Sequence, residues 1–346
     1  MEGVSRHFDH LTKRTIMGQQ VLTLGMATTD GFIPLEQEIF ISKKQIQPAS
    51  FKDGRHHAAK RYQESLKQTK PCLLVSAVKR AISNGFEADY FLADAWFGNK
   101  STLLMTEECS LTAILRMKRN KTRYRVTEII NGNKKVSMLN AEEIYKRFIR
   151  KKWDKVENTQ LKHVDVELNL AQTKKDETQW IKIRLLFVRG VKEEGQATAS
   201  PKNWALFLTT DTSLSPLKIL EIYALRWGIE VYFKEAKQHL GFLEEQSVHF
   251  SSHLASLSLT AVRYILLLYA ALESGTRVCD MREKMGAGLQ HLNFAQKLWT
   301  VFKSLIAGSL KSLNHSFDDI IPTLDKDIKQ FFIQAMQITE NSFADP

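Results

Sequence analysis

Cysteine is scarce in this 346-residue sequence, and the three that occur, Cys72, Cys109 and Cys279, lie far apart. No CxxC pair exists, which argues against a zinc site. An odd cysteine count fits a reducing compartment. The first residues contain no apolar core of the kind that export signals have, so the sequence predicts a cytoplasmic protein.

Only one long apolar run occurs, at residues 254–272, and it contains Arg263 together with several Ser and Thr residues. We therefore predict a buried core helix there and no membrane association.

A phosphate-binding loop is also missing. Residues 98–101 read Gly-Asn-Lys-Ser, in which the asparagine breaks the required Gly-Lys-Ser/Thr order.

Positive charge, in contrast, is abundant: the formal net charge is +11 and the pI is about 9.4. This balance predicts a polyanionic partner, with nucleic acid ahead of membrane. The excess is concentrated in residues 116–155, where two basic clusters are candidates for contact with DNA phosphates. A solvated face is the alternative. The clusters comprise Lys118, Arg119, Lys121, Arg123 and Arg125, and then Lys146, Arg147, Arg150, Lys151 and Lys152.

Hydrophobic patterning predicts an α/β protein interrupted by a β-rich segment. The predicted strands cover 20–29, 32–42, 89–93, 111–117, 163–170, 180–190 and 204–209, with turns at Asp30-Gly31, Asn131-Gly132 and Glu194-Gly195. The predicted helices cover 56–67, 73–84, 215–240 and 252–272. We expect four regions: a first core part at 1–115, a basic insertion at 116–213, a second core part at 214–275 and a helical tail at 276–346.

Four polar residues on the helix predicted at 215–240 carry the chemical signal: Tyr223, Arg226, Glu230 and Lys237. At about 100° per residue they share one stripe about 60° wide on a largely apolar helix. One carboxylate, two cations and a phenol suit phosphoryl transfer, in which the carboxylate holds a metal and the other groups hold phosphates. A solvated face with an Arg226–Glu230 ion pair is the alternative.

The spacing Y-(2)-R-(3)-E-(6)-K and the surrounding string LRWGIEVYFKEAKQHLGF resemble the DDE transposases of bacterial insertion sequences, family four. The resemblance implies that Glu230 is the third metal-binding carboxylate and that Tyr223, Arg226 and Lys237 contact phosphates at the transposon end. It also implies a ribonuclease-H-like (integrase-type) fold with a mainly β insertion.

Asp94 closes the apolar strand predicted at 89–93 and is followed by Ala-Trp-Phe. On its own it reads equally well as a turn or helix-cap aspartate. The resemblance identifies it as the second catalytic carboxylate, which ends the fourth strand in an Asp-x-x-Phe-like context. The position of the β-rich insertion between Asp94 and Glu230 is similar to this family as well.

The string MEGVSRHFDHLTKRTIMGQQVLTLGM resembles the family segment that follows the first strand and its Asp-Asp-Ser/Thr motif. This alignment implies that the first strand and the first catalytic aspartate precede Met1. Asp9 and Asp30 are poor substitutes, since Asp9 matches the family's own downstream Asp-His and Asp30 belongs to a hairpin turn. We expect the chain alone to be inactive, because the first aspartate bridges the two metals in the family.

The resemblance further implies cut-and-paste cleavage of transposon ends through a DNA hairpin, strand transfer into target DNA, two Mg²⁺ or Mn²⁺ ions and a dimeric synaptic complex. The alternatives are a non-catalytic DNA-binding or dimerising fragment, a decayed gene product and another ribonuclease-H-like nuclease. Trp153 and Trp227 could stack on an unpaired base, although a buried core position is the prediction for each.

Overall fold

The computed structural model describes residues 1–9, 12–43, 46–156, 159–171, 177–190, 203–290, 294–313 and 315. The chain divides into two compact units, Met1–Leu266 and Leu267–Pro346. The first unit contains every residue proposed above for catalysis or for DNA binding. Its mixed sheet and its helices are compatible with the predicted ribonuclease-H-like α/β fold.

The first part of the chain has four strands, then two helices, and then a strand, a helix and a strand. Its elements are β1 (Ser5–Asp9), β2 (Arg14–Gly18), β3 (Gln20–Ala27), β4 (Phe32–Phe40), α1 (His57–Lys67), α2 (Lys70–Ser83), β5 (Tyr90–Ala93), α3 (Lys100–Glu108) and β6 (Thr112–Met117). The hairpin between β3 and β4 turns at Asp30-Gly31 as predicted. The helix α2 begins at Lys70 rather than at residue 73, because Thr69 caps it and Pro71 occupies its first turn.

The middle part is rich in strands, as the sequence predicts. It comprises β7 (Tyr124–Ile130), β8 (Asn133–Leu139), α4 (Ala141–Ile144), a π-helix (Tyr145–Ile149), β9 (Asp154–Val156), β10 (Thr159–Asn169), β11 (Trp180–Gly190) and β12 (Ala205–Thr209). The turn predicted at Glu194-Gly195 lies outside the described residues.

The main sheet has eight strands in the order β5-β6-β12-β11-β10-β7-β8, and β9 pairs with β10. The strands β5 and β6 are parallel, whereas β6 pairs antiparallel with β12. The insertion therefore continues the core sheet. Its fully buried residues Ile183, Leu185 and Phe187 belong to the same hydrophobic cluster as Leu115 of β6.

The hairpin β3–β4 forms a separate two-stranded sheet, and so does β1–β2. A register shift at Leu24/Gly25 bends β3. On β4, the buried carboxylate of Glu38 and its neighbour Glu36 are ion-paired with Arg61 of α1 and Arg80 of α2. This ion cluster ties both helices to the hairpin.

The helix predicted at 215–240 is interrupted. It consists of α5 (Pro216–Ala224), a 3₁₀ turn (Leu225–Trp227) and α6 (Gly228–His239). Ser215 caps its start as predicted, with its side chain accepting a hydrogen bond from the Lys218 amide at 3.2 Å. At the break, Gly228 lies against β4, where an added Cβ would stand 2.9 Å from Phe32 Cβ. Glycine is a weak helix former, and this close approach accounts for the tighter turn.

The apolar helix α7 (Phe250–Glu273) only partly fulfils its prediction as a buried core helix. Leu257 and Tyr264 are buried, but Leu259, Val262 and Leu266 are more than half exposed. By length and composition α7 is apolar enough to cross a membrane, a property that it shares with core helices of soluble proteins, and 28% of its apolar window is buried. It buries one face and exposes the other.

The second unit contains α8 (Val278–Gln290) and α9 (Phe294–Ser312). Both helices lie within the region 276–346 that we predict as a helical tail. Residues 291–293, 314 and 316–346 of that region lie outside the described residues.

Candidate active site

Asp94 stands immediately after β5, in the short loop that leads to α3. One of its carboxylate oxygens accepts a 2.8 Å hydrogen bond from the Trp96 amide, and its carbonyl accepts from the Phe97 amide at 3.1 Å. Asn99 then caps α3 by accepting a hydrogen bond from the Thr102 amide at 3.1 Å. These hydrogen bonds fix both ends of the loop and hold Asp94 in place. The second carboxylate oxygen of Asp94 remains available to a ligand.

Glu230 lies in the first turn of α6 and is ion-paired with Arg226 of the 3₁₀ turn. The glutamate side chain is 42% exposed and that of the arginine 22%. Burial alone would lower the pKa of Arg226, but the bond to Glu230 and the charge of Asp94 outweigh it and raise the pKa. Arg226 is therefore under the electrostatic influence of both carboxylates.

Tyr223 lies near the end of α5 and reaches the end of β5. Its hydroxyl donates a 3.4 Å hydrogen bond to the carbonyl of Ala93, the residue before Asp94. Its ring packs edge-on against Phe207 at 4.8 Å, and the guanidinium of Arg226 lies 5.6 Å from the ring centroid. Burial raises the pKa of the phenol, so Tyr223 is a neutral hydrogen-bonding group at physiological pH.

A cavity of about 730 Å³ brings Asp94, Arg226 and Glu230 together. Two of its walls are consecutive stretches of chain, residues 21–28 along β3 and residues 86–94 along β5. The remaining wall consists mainly of apolar residues of α2, α5 and α6. The two carboxylates predicted from sequence thus line one cavity, although 136 positions separate them in the chain.

Lys237 does not line that cavity. It lies instead on a second, open cleft of about 1310 Å³, which also contains Asp94. Arg6, Lys70, Lys118 and Trp96 are further residues of this cleft. Asp94 thus stands between an apolar cavity on one side and a basic cleft on the other. The sequence predicts no role for Lys70 or for Trp96, although Trp96 follows Asp94 by only two residues.

Among the described residues, no group of three or more His, Cys, Asp or Glu side chains is arranged to hold a metal ion. Asp94 and Glu230 are nevertheless hard oxygen donors, and Mg²⁺ is commonly bound by one or two carboxylates together with substrate phosphates. The two carboxylates fit such an ion chemically. Asp30 lies in the exposed β3–β4 turn, and Asp9 accepts hydrogen bonds from Thr12 at the β1–β2 turn. Neither lines the cavity.

Several of the basic residues predicted to contact DNA already have partners within the insertion. Arg123 is paired with Glu143 at 2.8 Å, and Arg147 with Glu128 at 2.5 Å. The Arg119 guanidinium stacks over the Trp204 ring at 4.9 Å. The remaining exposed cations of the two clusters are Lys118, Lys121, Lys146, Arg150, Lys151 and Lys152.

The two tryptophans behave differently. Trp153 is half-buried and packs against the main core, and its ring centroid lies 6.1 Å from that of Tyr145. The prediction of a buried Trp227 is wrong, because 61% of this side chain is exposed. It belongs to the 3₁₀ turn, where the tighter winding carries it away from the buried side of α5 and α6.

Residues 1–180, slightly more than half of the chain, match the model of a family described as DDE superfamily endonuclease. The matched segment contains Asp94 but ends before the stretch from Tyr223 to Lys237. No curated protein matches the chain.

Proposed function

This chain belongs to the DDE superfamily of endonucleases, and on that basis we propose that it is a DNA transposase of a bacterial insertion sequence, related to family four. Membership implies nuclease activity on DNA, and enzymes of this superfamily generally use divalent metals. The observation that carries the finer proposal is the shared cavity of Asp94, Arg226 and Glu230. Asp94 lies in the segment that matches the family. Arg226 and Glu230 lie beyond it, on the signature helix, by which we mean the segment from α5 to α6 that carries the Y-(2)-R-(3)-E-(6)-K spacing.

Asp94 and Glu230 are the proposed metal ligands, for Mg²⁺ or Mn²⁺. Bound divalent ions supply activation of the attacking oxygen and stabilisation of the leaving oxygen in phosphoryl transfer. The ion pair with Arg226 holds the Glu230 carboxylate near the cavity. When Glu230 takes a ligand role instead, the Arg226 guanidinium becomes available to a phosphate oxygen, for which its planar fork is suited.

The other signature residues are proposed to orient the transposon end. The Tyr223 hydroxyl lies beside the carbonyl that precedes Asp94, so it can hold a phosphate oxygen close to the metal ligands. Lys237 lines the same cleft as Asp94 and adds a positive charge to it. A DNA strand that follows these groups would run from the basic cleft past Asp94 towards the cavity.

We propose that the third carboxylate of the site enters on an extended segment that fills the cavity between β3 and β5. Within the described residues, β5 is an edge strand and β3 pairs with β4 alone. Residues 21–28 and 86–94 both face the cavity, so an inserted strand meets an open strand edge on either side. An aspartate on it would then join Asp94 and Glu230 as a third carboxylate that could hold the divalent ions.

Two expectations follow for the protein in the cell. Glu87 and Asp89 also line the cavity but have no counterpart in the signature. With Asp94 and Glu230 as its proposed metal ligands, the chain on its own should bind two metal ions poorly and cleave DNA very slowly. By its resemblance to family four, the enzyme should act as a homodimer on paired transposon ends, in the bacterial cytoplasm.

Metal binding tests the site independently of activity. We expect Asp94→Asn and Glu230→Gln each to weaken Mn²⁺ binding, measured by calorimetry or by electron paramagnetic resonance of the bound ion. The matched control is Glu221→Gln on α5, whose carboxylate forms an exposed ion pair with Lys218. Unchanged Mn²⁺ affinity in both site variants would remove the metal-ligand assignment.

Cleavage of transposon-end DNA in Mg²⁺ tests the third carboxylate. The chain as given is compared with the same chain extended at Met1 by a strand that bears the Asp-Asp-Ser/Thr motif, with an Asp→Asn version of that strand as the control. We expect cleavage only with the aspartate-bearing extension. Robust cleavage by the unextended chain would refute the third-carboxylate proposal.

A further inference from the structure

The basic cleft beside Asp94 contains two lysines that converge on one aromatic ring. The ammonium of Lys70, at the start of α2, lies 4.9 Å from the centroid of the Trp96 ring. The ammonium of Lys118, immediately after β6, lies 4.3 Å from the same ring. The indole of Trp96 is 47% exposed and so remains accessible from the cleft.

This arrangement places two positive charges together without a carboxylate paired to either of them. In the described part of the chain, neither Lys70 nor Lys118 has a carboxylate within the 4.0 Å of an ion pair, whereas many surface cations of this protein do. Burial lowers the pKa of Lys70, and only the charge of Asp94 opposes that shift. Lys237 and Arg6 line the same cleft, and Asp94 is the single acidic residue among its described lining residues.

The ring accounts for how two like charges can be held together. A cation over the face of an indole is attracted by the negative face of the π-system, and Trp is the most effective ring for this purpose. The backbone of Trp96 is held next to Asp94, because its amide donates a 2.8 Å hydrogen bond to that carboxylate. The ring therefore draws both ammonium groups to the side of the proposed metal ligand, and Phe40, whose ring centroid lies 4.8 Å from the Lys70 ammonium, also contacts that lysine.

We propose that Lys70, Trp96 and Lys118 form a phosphate clamp that holds a phosphodiester group of a DNA strand next to Asp94. This inference rests on the proposed function, since it takes DNA as the substrate, and it adds positioning residues outside the signature helix. A phosphate oxygen between the two ammonium groups offsets their mutual repulsion and gains two charge-assisted hydrogen bonds. Trp96 acts through the two lysines and sets their geometry.

Binding of a labelled transposon-end duplex, measured by fluorescence anisotropy over a range of salt concentrations, tests the clamp. Each phosphate contact contributes about 0.9 to the slope of log affinity against log salt concentration. We expect Lys70→Gln and Lys118→Gln each to reduce that slope by up to about 0.9. The control is Lys60→Gln with Lys67→Gln on α1, which removes two exposed charges outside the cleft and should leave the slope nearly unchanged.

Trp96→Leu separates a clamp from simple charge attraction. This variant removes no charge, yet we expect it to lower both affinity and slope, whereas Trp96→Phe should restore them in part because it keeps a ring. Near-ultraviolet circular dichroism and the urea midpoint establish that each variant is folded.

The outcomes distinguish this inference from the proposal on which it rests. If the wild-type chain binds DNA, and if the lysine variants and Trp96→Leu have the same salt slope as the wild type, the clamp is refuted while DNA remains the substrate. If the wild-type chain does not bind DNA at low salt, both fail. Inorganic phosphate is added as a competitor at constant ionic strength. If it competes saturably with the duplex, and if the double variant Lys70→Gln/Lys118→Gln loses this competition, free phosphate rather than a DNA strand occupies the clamp.

Discussion

Replacing Glu38 with glutamine should change how the stability of this protein depends on pH. Glu38 is 2% exposed on β4 and lies among Glu36, Arg61 and Arg80. Burial raises its pKa from the ordinary 4.5 to about 7, and the negative charge of Glu36 acts in the same direction. The attraction of Arg61 and Arg80 opposes this rise without cancelling it.

The sign and the magnitude follow from proton linkage. Between pH 4.5 and about 7 the folded protein holds a proton on Glu38 that the unfolded chain has released. The free energy of unfolding therefore falls as pH rises through this window. At about 1.4 kcal/mol for each pKa unit, the interval corresponds to about 3 kcal/mol. The lowered pKa of Glu36 acts below this window, because that carboxylate loses its stabilising effect only as pH falls below 4.5.

Urea unfolding at pH 5, 6, 7 and 8 measures the effect. Glutamine has the shape of the protonated acid and cannot ionise, so Glu38→Gln should gain about 3 kcal/mol relative to wild type across the series. Glu108→Gln is the control, because Glu108 pairs with Lys79 on the surface and both side chains are more than half exposed. A constant difference between Glu38→Gln and wild type from pH 5 to pH 8 would refute the reasoning.

Two further predictions concern the loop at Asp94 and the insertion. Gly98→Ala should lower the free energy of unfolding in urea by about 1–3 kcal/mol and weaken Mn²⁺ binding, because an added Cβ would stand 2.4 Å from the Arg116 carbonyl oxygen. The control is Gly54→Ala, where an added Cβ would have nothing within 4 Å. Equal stability of the two variants would contradict this prediction. Changing Arg150, Lys151 and Lys152 together to Gln should reduce the salt slope of DNA binding by up to about 3, whereas Arg147→Gln should do less because Glu128 already pairs with that arginine; an unchanged slope in the triple variant would mean that the cluster serves only solubility.

The parts of the fold that local chemistry determines could be predicted from sequence. The Asp30-Gly31 hairpin, the Ser215 cap and the strand that ends before Asp94 follow from turn chemistry, capping and short-range patterning. The position of Asp94 at a strand end was available from the sequence for that reason, whereas its candidacy as a metal ligand came from the resemblance to family four.

The features that the sequence did not predict have a different physical origin. The sequence between residues 215 and 240 reads as one helix because the periodicity is continuous, but the close packing of Gly228 on Phe32 is a long-range contact. The joining of the insertion to the core sheet depends on the pairing of β6 with β12, whose partners lie about 90 residues apart. The convergence of Lys70 and Lys118 on Trp96 likewise brings together three separate segments.

The 3₁₀ turn at Leu225–Trp227 sets the angle between the phenol and the carboxylate of the signature helix. In a continuous α-helix, Glu230 would project within about 20° of Tyr223 around the axis. Three residues wound at about 120° instead of 100° rotate Glu230 by about 60°, from about 20° on one side of Tyr223 to about 40° on the other. Tyr223 can then meet the end of β5 while Glu230 lines the cavity. A protein that retains all four signature residues but winds this segment as a regular α-helix would therefore have its carboxylate misdirected, so spacing alone does not guarantee an intact site.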